Sequence, residues 1–256
     1  MKKVNTESDV KEQRHLNSKY YDINLSLTKY LLESPIPESE LSRNLFLYLD
    51  RRALSRFLFL NDLYTKSMHL HGSIFEFGVR YGVNTALFTS LRGIHEPFNH
   101  NRQIAAFDTF SGFASIKNEV DGDSIKKGEF GVPEGYEEHL QKILEIHEQL
   151  APIETVRKFK LIKGDVTISL PKYLKENPHT IISLAYFDFD IYEPTIRSLE
   201  AIEPFLSDGA IIGFDEINVQ TWPGETKALR EWIGDRKMQI NHANHRAAAG
   251  YVIFKR

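Results

Sequence analysis

Beyond residue 71 the chain alternates short apolar runs with longer amphipathic stretches. The runs 73–79 (SIFEFGV), 103–110 (QIAAFDTF), 159–165 (FKLIKGD), 181–190 (IISLAYFDFD) and 210–215 (AIIGFD) are rich in β-branched and aromatic residues, and Gly or Asp falls near their ends. Each predicts a strand, and the fourth is too apolar for a sheet edge. Between them, 84–91, 136–150, 168–177, 195–206 and 225–233 carry helical patterns. Two further runs, 238–241 and 251–254, flank an Asn/His/Ala-rich connection and predict a closing antiparallel pair. Strands alternating with helices imply a doubly wound α/β fold with a mainly parallel seven-stranded sheet. Crossovers in such sheets are right-handed, and ligands bind beyond the carboxyl ends of the strands.

The first 70 residues have a different rhythm. Leu41, Leu45, Leu47, Leu49, Leu54, Phe57, Leu58 and Leu63 recur at rough helical spacing, and Pro35 and Pro37 divide the stretch into at least two helices. Residues 1–70 therefore read as an N-terminal helical extension or cap, or an oligomer surface, ahead of a domain over 71–256. Residues 1–20 are polar and expected to fray. Residues 111–135 are rich in Gly, Asp, Ser and Lys and predict a long loop, a candidate lid for an acceptor pocket. No repeat or low-complexity linker marks a further domain.

Composition narrows the function. With 256 residues, net charge −3 and 41% hydrophobic content, the chain suits one α/β domain with an extension. The charge gives no global basic field for nucleic acid or anionic membrane. The absence of Cys excludes disulfides, thiolate catalysis and Cys-based zinc sites. No apolar run approaches the roughly 20 residues that span a bilayer, and the first residues, MKKVNTES, have no apolar region behind them. The expectation is a soluble cytoplasmic protein. The 17 Phe and 11 Tyr suggest aromatic-rich packing or pocket walls.

Acidic residues gather where the strands end: Glu76, Asp108, Asp165, Asp188, Asp190, Asp215 and Glu216. The turn Glu76–Gly82 (EFGVRYG), followed by Asn84 and Thr85, has glycines that permit a left-handed backbone and close approach of a ligand. A dinucleotide fingerprint would begin with Gly where Glu76 stands. An acid there repels a pyrophosphate and suits a cation, such as the sulfonium and amino groups of S-adenosylmethionine (SAM). The alternative is an ordinary strand-to-helix turn. Asp108 ends the second strand, where an acid can accept from both ribose hydroxyls. Asp165 either reaches an adenine amino group or caps the following helix. Asp188, Asp215 and Glu216 would repel one another without a cation between them, and oxygen-only ligands suit Mg²⁺. Asp190 and Glu193 are candidate caps for the helix starting near Pro194. His139, His147, His179, His242 and His245 have no metal-ligand spacing on a common element. The segment 242–246 is a candidate for the substrate side, and 222–226 either forms a substrate wall or starts a helix.

The segments EFGVRYG, AFDTFSGF, LIKGD, YFDFDIYEPT and GAIIGFDEIN…WPGET, spread over roughly residues 72–234, give the chain a specific resemblance. It resembles the macrocin O-methyltransferase family, whose members modify deoxysugars of macrolide, aminocoumarin and enediyne natural products. The resemblance implies a class I, SAM-binding Rossmann-like methyltransferase fold and methyl transfer to a sugar hydroxyl. Cofactor contacts then fall on Glu76, Phe77, Gly78, Gly82, Asn84, Thr85, Asp108, Ser111, Asp165 and Asp188. It also implies a Mg²⁺ site on Asp188, Asp215 and Glu216, with Asp188 doubling as catalytic base. Many members have Asp-Asp where this chain has Asp215-Glu216. The expected partner is a small sugar-containing acceptor, natural-product or nucleotide-linked, with a homo-oligomer suited to the helical N-terminus. A catechol-like or other small-molecule hydroxyl, and a non-catalytic SAM-fold scaffold, stand as alternatives. An NAD-dependent dehydrogenase or epimerase lacks both the glycine fingerprint and a Tyr-x-x-x-Lys pair.

Overall fold

The computed structural model describes residues 18–122 and 125–256. Most of the segment expected to fray, 1–17, therefore lies outside the described residues. The chain divides into two compact units, one ending at Leu58 and the other running Phe59–Arg256. The division falls earlier than the boundary at 70 that the pattern suggested.

The first unit contains helix α1 (Ser18–Leu32), the short helix α2 (Glu38–Leu41), a 3₁₀ turn (Ser42–Tyr48) and the start of helix α3 (Arg51–Ser67). Pro37 precedes α2 with extended backbone (φ −56°, ψ 144°), which separates it from α1. Among residues 21–58 none is buried, and Ile23, Leu25, Tyr30, Leu32, Phe46 and Leu47 are exposed. From Phe59 the same helix changes character: Phe59, Leu60, Leu63 and Tyr64 are fully buried in the second unit. Helical periodicity runs unbroken through that change, which is why the sequence pattern placed the boundary later.

The second unit is built on strands β1 (Ser73–Phe77), β2 (Ile104–Asp108), β3 (Phe159–Lys163), β4 (Ile182–Phe187), β5 (Leu206–Phe214), β6 (Ile240–His242) and β7 (Gly250–Ile253). They form one seven-stranded sheet in the order β3-β2-β1-β4-β5-β7-β6. β1 to β5 pair in parallel, whereas the pairings of β7 with β5 and with β6 are antiparallel. The sheet is thus mixed, as the closing pair at 238–254 led one to expect. The strand order reverses between β1 and β4, which makes their carboxyl ends the switch point of the fold.

Helices cover the sheet: α4 (Val83–His95), α5 (Asn118–Asp121), α6 (Tyr136–Gln149), α7 (Val166–Glu176), α8 (Tyr192–Ile202) and α9 (Gly224–Ile233). Side chains alternate between the two faces of each strand. On one face Phe107, Phe77, Phe187 and Phe214 occupy register-matched positions on β2, β1, β4 and β5. Their rings stack in sequence, with centroids 5.3, 4.6 and 5.1 Å apart. This ladder belongs to the core that α7, α8 and α9 close with Leu170, Leu199 and Leu229. On the other face Tyr186 packs against Phe59 and Phe88. A Cβ on Gly213 would come within 2.4 Å of Leu63, so that glycine lets helix α3 lie close to β5.

Charged groups are buried at the amino ends of the strands. Arg92 donates to Glu148 at 2.6 Å, and Lys158 pairs with the same carboxylate at 2.5 Å. Arg102 pairs with Glu96, which also accepts from the Tyr64 hydroxyl at 2.6 Å. Arg102 donates further to Ser183 Oγ and to the Leu70 and Gly72 carbonyls, so the loops at that end are tied together.

Candidate active site

The carboxyl rim starts where β1 ends at Phe77. Gly78 turns the chain with φ 92°, and a Cβ there would lie 2.1 Å from the Asp188 carbonyl oxygen. The glycine is therefore required by the close approach of the backbone after β4, not only by a ligand. Val79 and Arg80 N–H groups donate to Asp108 Oδ2 at 2.7 and 2.8 Å, and Phe110 N–H donates to Oδ1 at 2.5 Å. Asp108 thus fixes the turn after β1 and the turn after its own strand. Gly82, at φ 79°, starts α4 and places Asn84 and Thr85 in its first turn. Thr85 Oγ1 donates to Glu76 Oε2, and Asn84 Nδ2 reaches Asp188 Oδ2 at 3.5 Å.

Glu76, Gly78, Gly82, Asn84, Thr85, Asp108 and Asp188 are consequently gathered at the carboxyl ends of β1, β2 and β4 through separate local contacts. Phe77 is placed differently: its ring is in the buried ladder, and its carbonyl accepts from Asp188 N–H at 2.8 Å. Ser111 is exposed beyond the β2 turn. Asp165 Oδ1 caps α7, accepting from Thr167 N–H at 2.9 Å and its hydroxyl at 2.7 Å. This is the capping alternative read from the sequence.

At the other side of the switch point, Asp190 and Glu225 are buried within electrostatic reach of Asp188, Asp215 and Glu216. Burial pushes the Asp190 carboxyl well above the ordinary range, and the charges of Asp188, Glu225, Glu216 and Asp215 push it further. Glu225 is raised in the same way, by burial first and then by Asp188, although an N–H bond from Phe189 opposes the shift. Glu225 Oε1 accepts from Phe189 and Asp190 N–H at 2.7 and 3.3 Å, and Oε2 from Glu216 N–H at 3.3 Å. It thereby fixes the backbone that carries the acids after β4 and β5. From the sequence, 222–226 read as a substrate wall or a helix start, and neither reading gave Glu225 this role.

Asp215 accepts from the Tyr186 hydroxyl on Oδ1 and from Arg246 Nη2 on Oδ2 at 2.9 Å. Of the segment 242–246, Arg246 is the residue brought to the acids; His242 is exposed, and His245 lies 3.6 Å from Asp62. Among the described residues no group of three or more His, Asp or Glu side chains is arranged to hold a metal. With both Asp215 oxygens already bonded, Asp188, Asp215 and Glu216 as they stand do not fit a metal ion. The opposite holds for a cationic nucleoside. Acids line the strand ends, and the turn after β1 gives its Val79 and Arg80 N–H groups to Asp108, so they are not aimed at a phosphate.

The described parts of the segment 111–135 are anchored to the rest of the second unit. Asp121, 1% exposed, accepts from Tyr192 N–H at 2.6 Å and from Lys117 N–H at 2.8 Å, so it caps α8 from outside. Lys227 Nζ donates to the Glu119 and Val120 carbonyls at 3.2 and 3.1 Å. Farther along, the Phe130 ring packs against Phe113 and Trp222. Arg80 places its guanidinium 4.9 Å from the Phe130 ring and 5.0 Å from that of Tyr81. Among the described residues the non-glycine positions with positive φ are Arg80, Phe110, Phe130, Asp190 and Asn218. All lie in loops that follow β1, β2, β4 or β5. Backbone strain of this kind persists where surrounding structure holds it, and it gathers at functional sites.

No protein-family model and no curated protein matches the chain. Solved structures do. The chain is 40% identical to CalS11, calicheamicin methyltransferase, over 94% of each chain with a TM-score of 0.90. Against apo CalS11, described as a TDP-rhamnose 3′-O-methyltransferase of calicheamicin biosynthesis, identity is 38% over 94% of this chain and 96% of that one, with a TM-score of 0.82. The O-methyltransferase NovP shares the fold at a TM-score of 0.63 and 17% identity, over 79% and 80% of the two chains.

Proposed function

The chain belongs to the sugar O-methyltransferase family of CalS11, and from that membership we propose that it transfers a methyl group from SAM to a hydroxyl of a sugar-containing small molecule. The observation that carries the reading is that neighbouring residues at the start of α4 meet both acids: Thr85 donates to Glu76, and Asn84 Nδ2 lies 3.5 Å from Asp188 Oδ2. The first turn of α4 thus lies beside the acid expected on the cofactor side and the acid expected at the reacting hydroxyl.

SAM, when bound, supplies an electrophilic methyl group on a sulfonium. The residues of the chain do the rest. The turn Gly78–Gly82 and Asp108 form the cofactor side, with Asp165 and Ser111 at its edge. The negative charge of Glu76 favours the cationic end of the cofactor. Asp188 takes the proton of the acceptor hydroxyl as its oxygen attacks in line. The O–CH₃ bond forms, the S–CH₃ bond breaks, and the sulfur leaves with that electron pair as neutral S-adenosylhomocysteine. Most of the rate advantage comes from holding the two reactants in line.

The resemblance assigns Mg²⁺ to Asp188, Asp215 and Glu216. These side chains as arranged do not fit a metal, with both Asp215 oxygens bonded to Tyr186 and Arg246. The acceptor we propose is a deoxysugar, nucleotide-linked or glycosidic, approached under the loop 111–135. We further read the exposed apolar residues of the first unit as a self-association surface, and we place the enzyme in the cytoplasm.

The test is calorimetric titration of the purified protein with SAM. Saturable binding that weakens at least tenfold in Glu76→Gln supports the assignment. A well-folded, cofactor-free protein that does not bind SAM contradicts it.

A further inference from the structure

Arg80 stands in the turn after β1, and its side chain reaches out of that turn. Its main-chain N–H donates to Asp108 Oδ2 at 2.8 Å, so its backbone belongs to the cofactor side proposed above. Its guanidinium lies 5.0 Å from the Tyr81 ring and 4.9 Å from the Phe130 ring, within the range of a cation–π contact. The Phe130 ring in turn packs on Trp222, with centroids 5.7 Å apart and planes tilted by 50°. Its other ring contact is edge-on to Phe113 at 5.4 Å. Trp222 is half-buried and stands three residues before Glu225, whose carboxylate holds the Phe189 and Asp190 N–H groups beside Asp188. Side-chain contacts therefore lead from the turn after β1, through Phe130, to an indole next to the segment that fixes the backbone after β4.

Two features set this run apart from ordinary core packing. Arg80 and Phe130 both hold positive φ, 48° and 62°, a backbone that non-glycine residues keep only where their surroundings impose it. The link between them is also a charge over an aromatic face. Its strength depends on where the guanidinium sits, and a compact, more strongly hydrated ammonium replaces it poorly. A displacement of the turn after β1 thus moves the cation and, through Phe130, the indole of Trp222.

We propose that Arg80 is a positioning residue that couples the turn holding the cofactor to an aromatic wall, Phe130 and Trp222, on the acceptor side. Occupancy of the turn is then felt at Trp222, and the wall meets the less polar face of a deoxysugar in the arrangement that the cofactor sets. This rests on the reading of the turn as a SAM site.

The chain holds two tryptophans, Trp222 and Trp232, so Trp232→Phe in the full-length protein leaves Trp222 as the sole indole reporter. In that background, binding of S-adenosylhomocysteine (SAH) is followed by calorimetry and by Trp222 emission, after each protein is shown to melt cooperatively. With Arg80 present, SAH is expected to change the emission saturably, with the same Kd that calorimetry gives. Arg80→Gln and Phe130→Leu are expected to bind SAH within about tenfold of that affinity, the scale of one cation–π contact, and to lose most of the emission change. Arg80→Lys is expected to keep more of the change than Arg80→Gln, a graded response that loosened packing alone would not give. Saturable SAH binding without a change at Trp222 overturns the coupling and leaves the cofactor assignment standing. So does a full-size change in either Arg80→Gln or Phe130→Leu. A well-folded parent protein that binds no SAH overturns both.

Discussion

Asp188 and Glu76 show what a single residue type at a strand end conveys. The sequence singles out both as acids at the carboxyl ends of strands, but it does not separate them from Asp165, which caps a helix, or Asp108, which holds two turns. Asp188→Asn should retain SAM affinity while kcat falls by about 10²–10⁴, the usual worth of a positioned proton acceptor; calorimetry paired with a turnover assay separates the two, and an unimpaired rate removes Asp188 from its role. The partners of these acids were harder to read. Gly78 stood out as a glycine, but its need comes from the Asp188 backbone, distant in sequence. Glu225 and Arg246 lie at a helix start and in a loop, where no periodicity marks a side chain as functional. Away from the rim, Glu96 gives a prediction about stability. Burial raises its carboxyl, but hydrogen bonds from Arg102, Tyr64 and Asn99 more than offset that, and it lies below the ordinary value of 4.5. A depressed folded value means a stabilising contribution that is present above the ordinary value and lost as pH falls through the folded one. Urea denaturation from pH 7 to 3 should therefore show wild type losing more stability than Glu96→Gln below about pH 4.5. Parallel curves would show that the carboxylate carries no such linkage.

Strands and helices of the second unit followed the sequence pattern closely, because apolar runs of alternating face and amphipathic helices need little tertiary information. The element ends did not. β1 was expected to reach residue 79 but stops at Phe77, since Gly78 leaves the sheet at φ 92°. Abundant Phe pointed to aromatic packing, yet the stacked ladder needs the register of four strands, which only the pairing reveals. The segment 111–135 was legible as a loop and not as an anchored one. Its anchor is a polar contact, Asp121 to Tyr192 N–H, without a repeat in sequence. Asp121→Ala should cost about 1 kcal/mol or more, the scale of a lost helix cap. It should also raise the acceptor KM several-fold with SAM affinity unchanged. Steady-state kinetics with both substrates checks this; an unaltered acceptor KM would detach the loop from the acceptor side.

The whole chain combines a unit without buried residues among 21–58 and a unit with a complete core. The sequence pattern could not separate them at Leu58, because one helix crosses the division and only burial changes along it. Among the described residues no helix is long and apolar enough to cross a membrane. Exposed Phe46 and Leu47 suit contact with a second copy of the chain. Light scattering after size exclusion should find an oligomer that Phe46→Glu/Leu47→Glu shifts toward monomer; a monomeric wild type at micromolar concentration would contradict that reading. The account as a whole turns on the transfer itself. Its most direct test is to incubate the protein with methyl-¹³C SAM and a panel of nucleotide-linked and glycosidic deoxysugars, then measure labelled methyl ether and S-adenosylhomocysteine together. The account predicts one-to-one formation of the two products with a sugar acceptor, abolished in Asp188→Asn. SAM binding without a methylated sugar from any acceptor, or a labelled methyl group on a catechol instead, would contradict it.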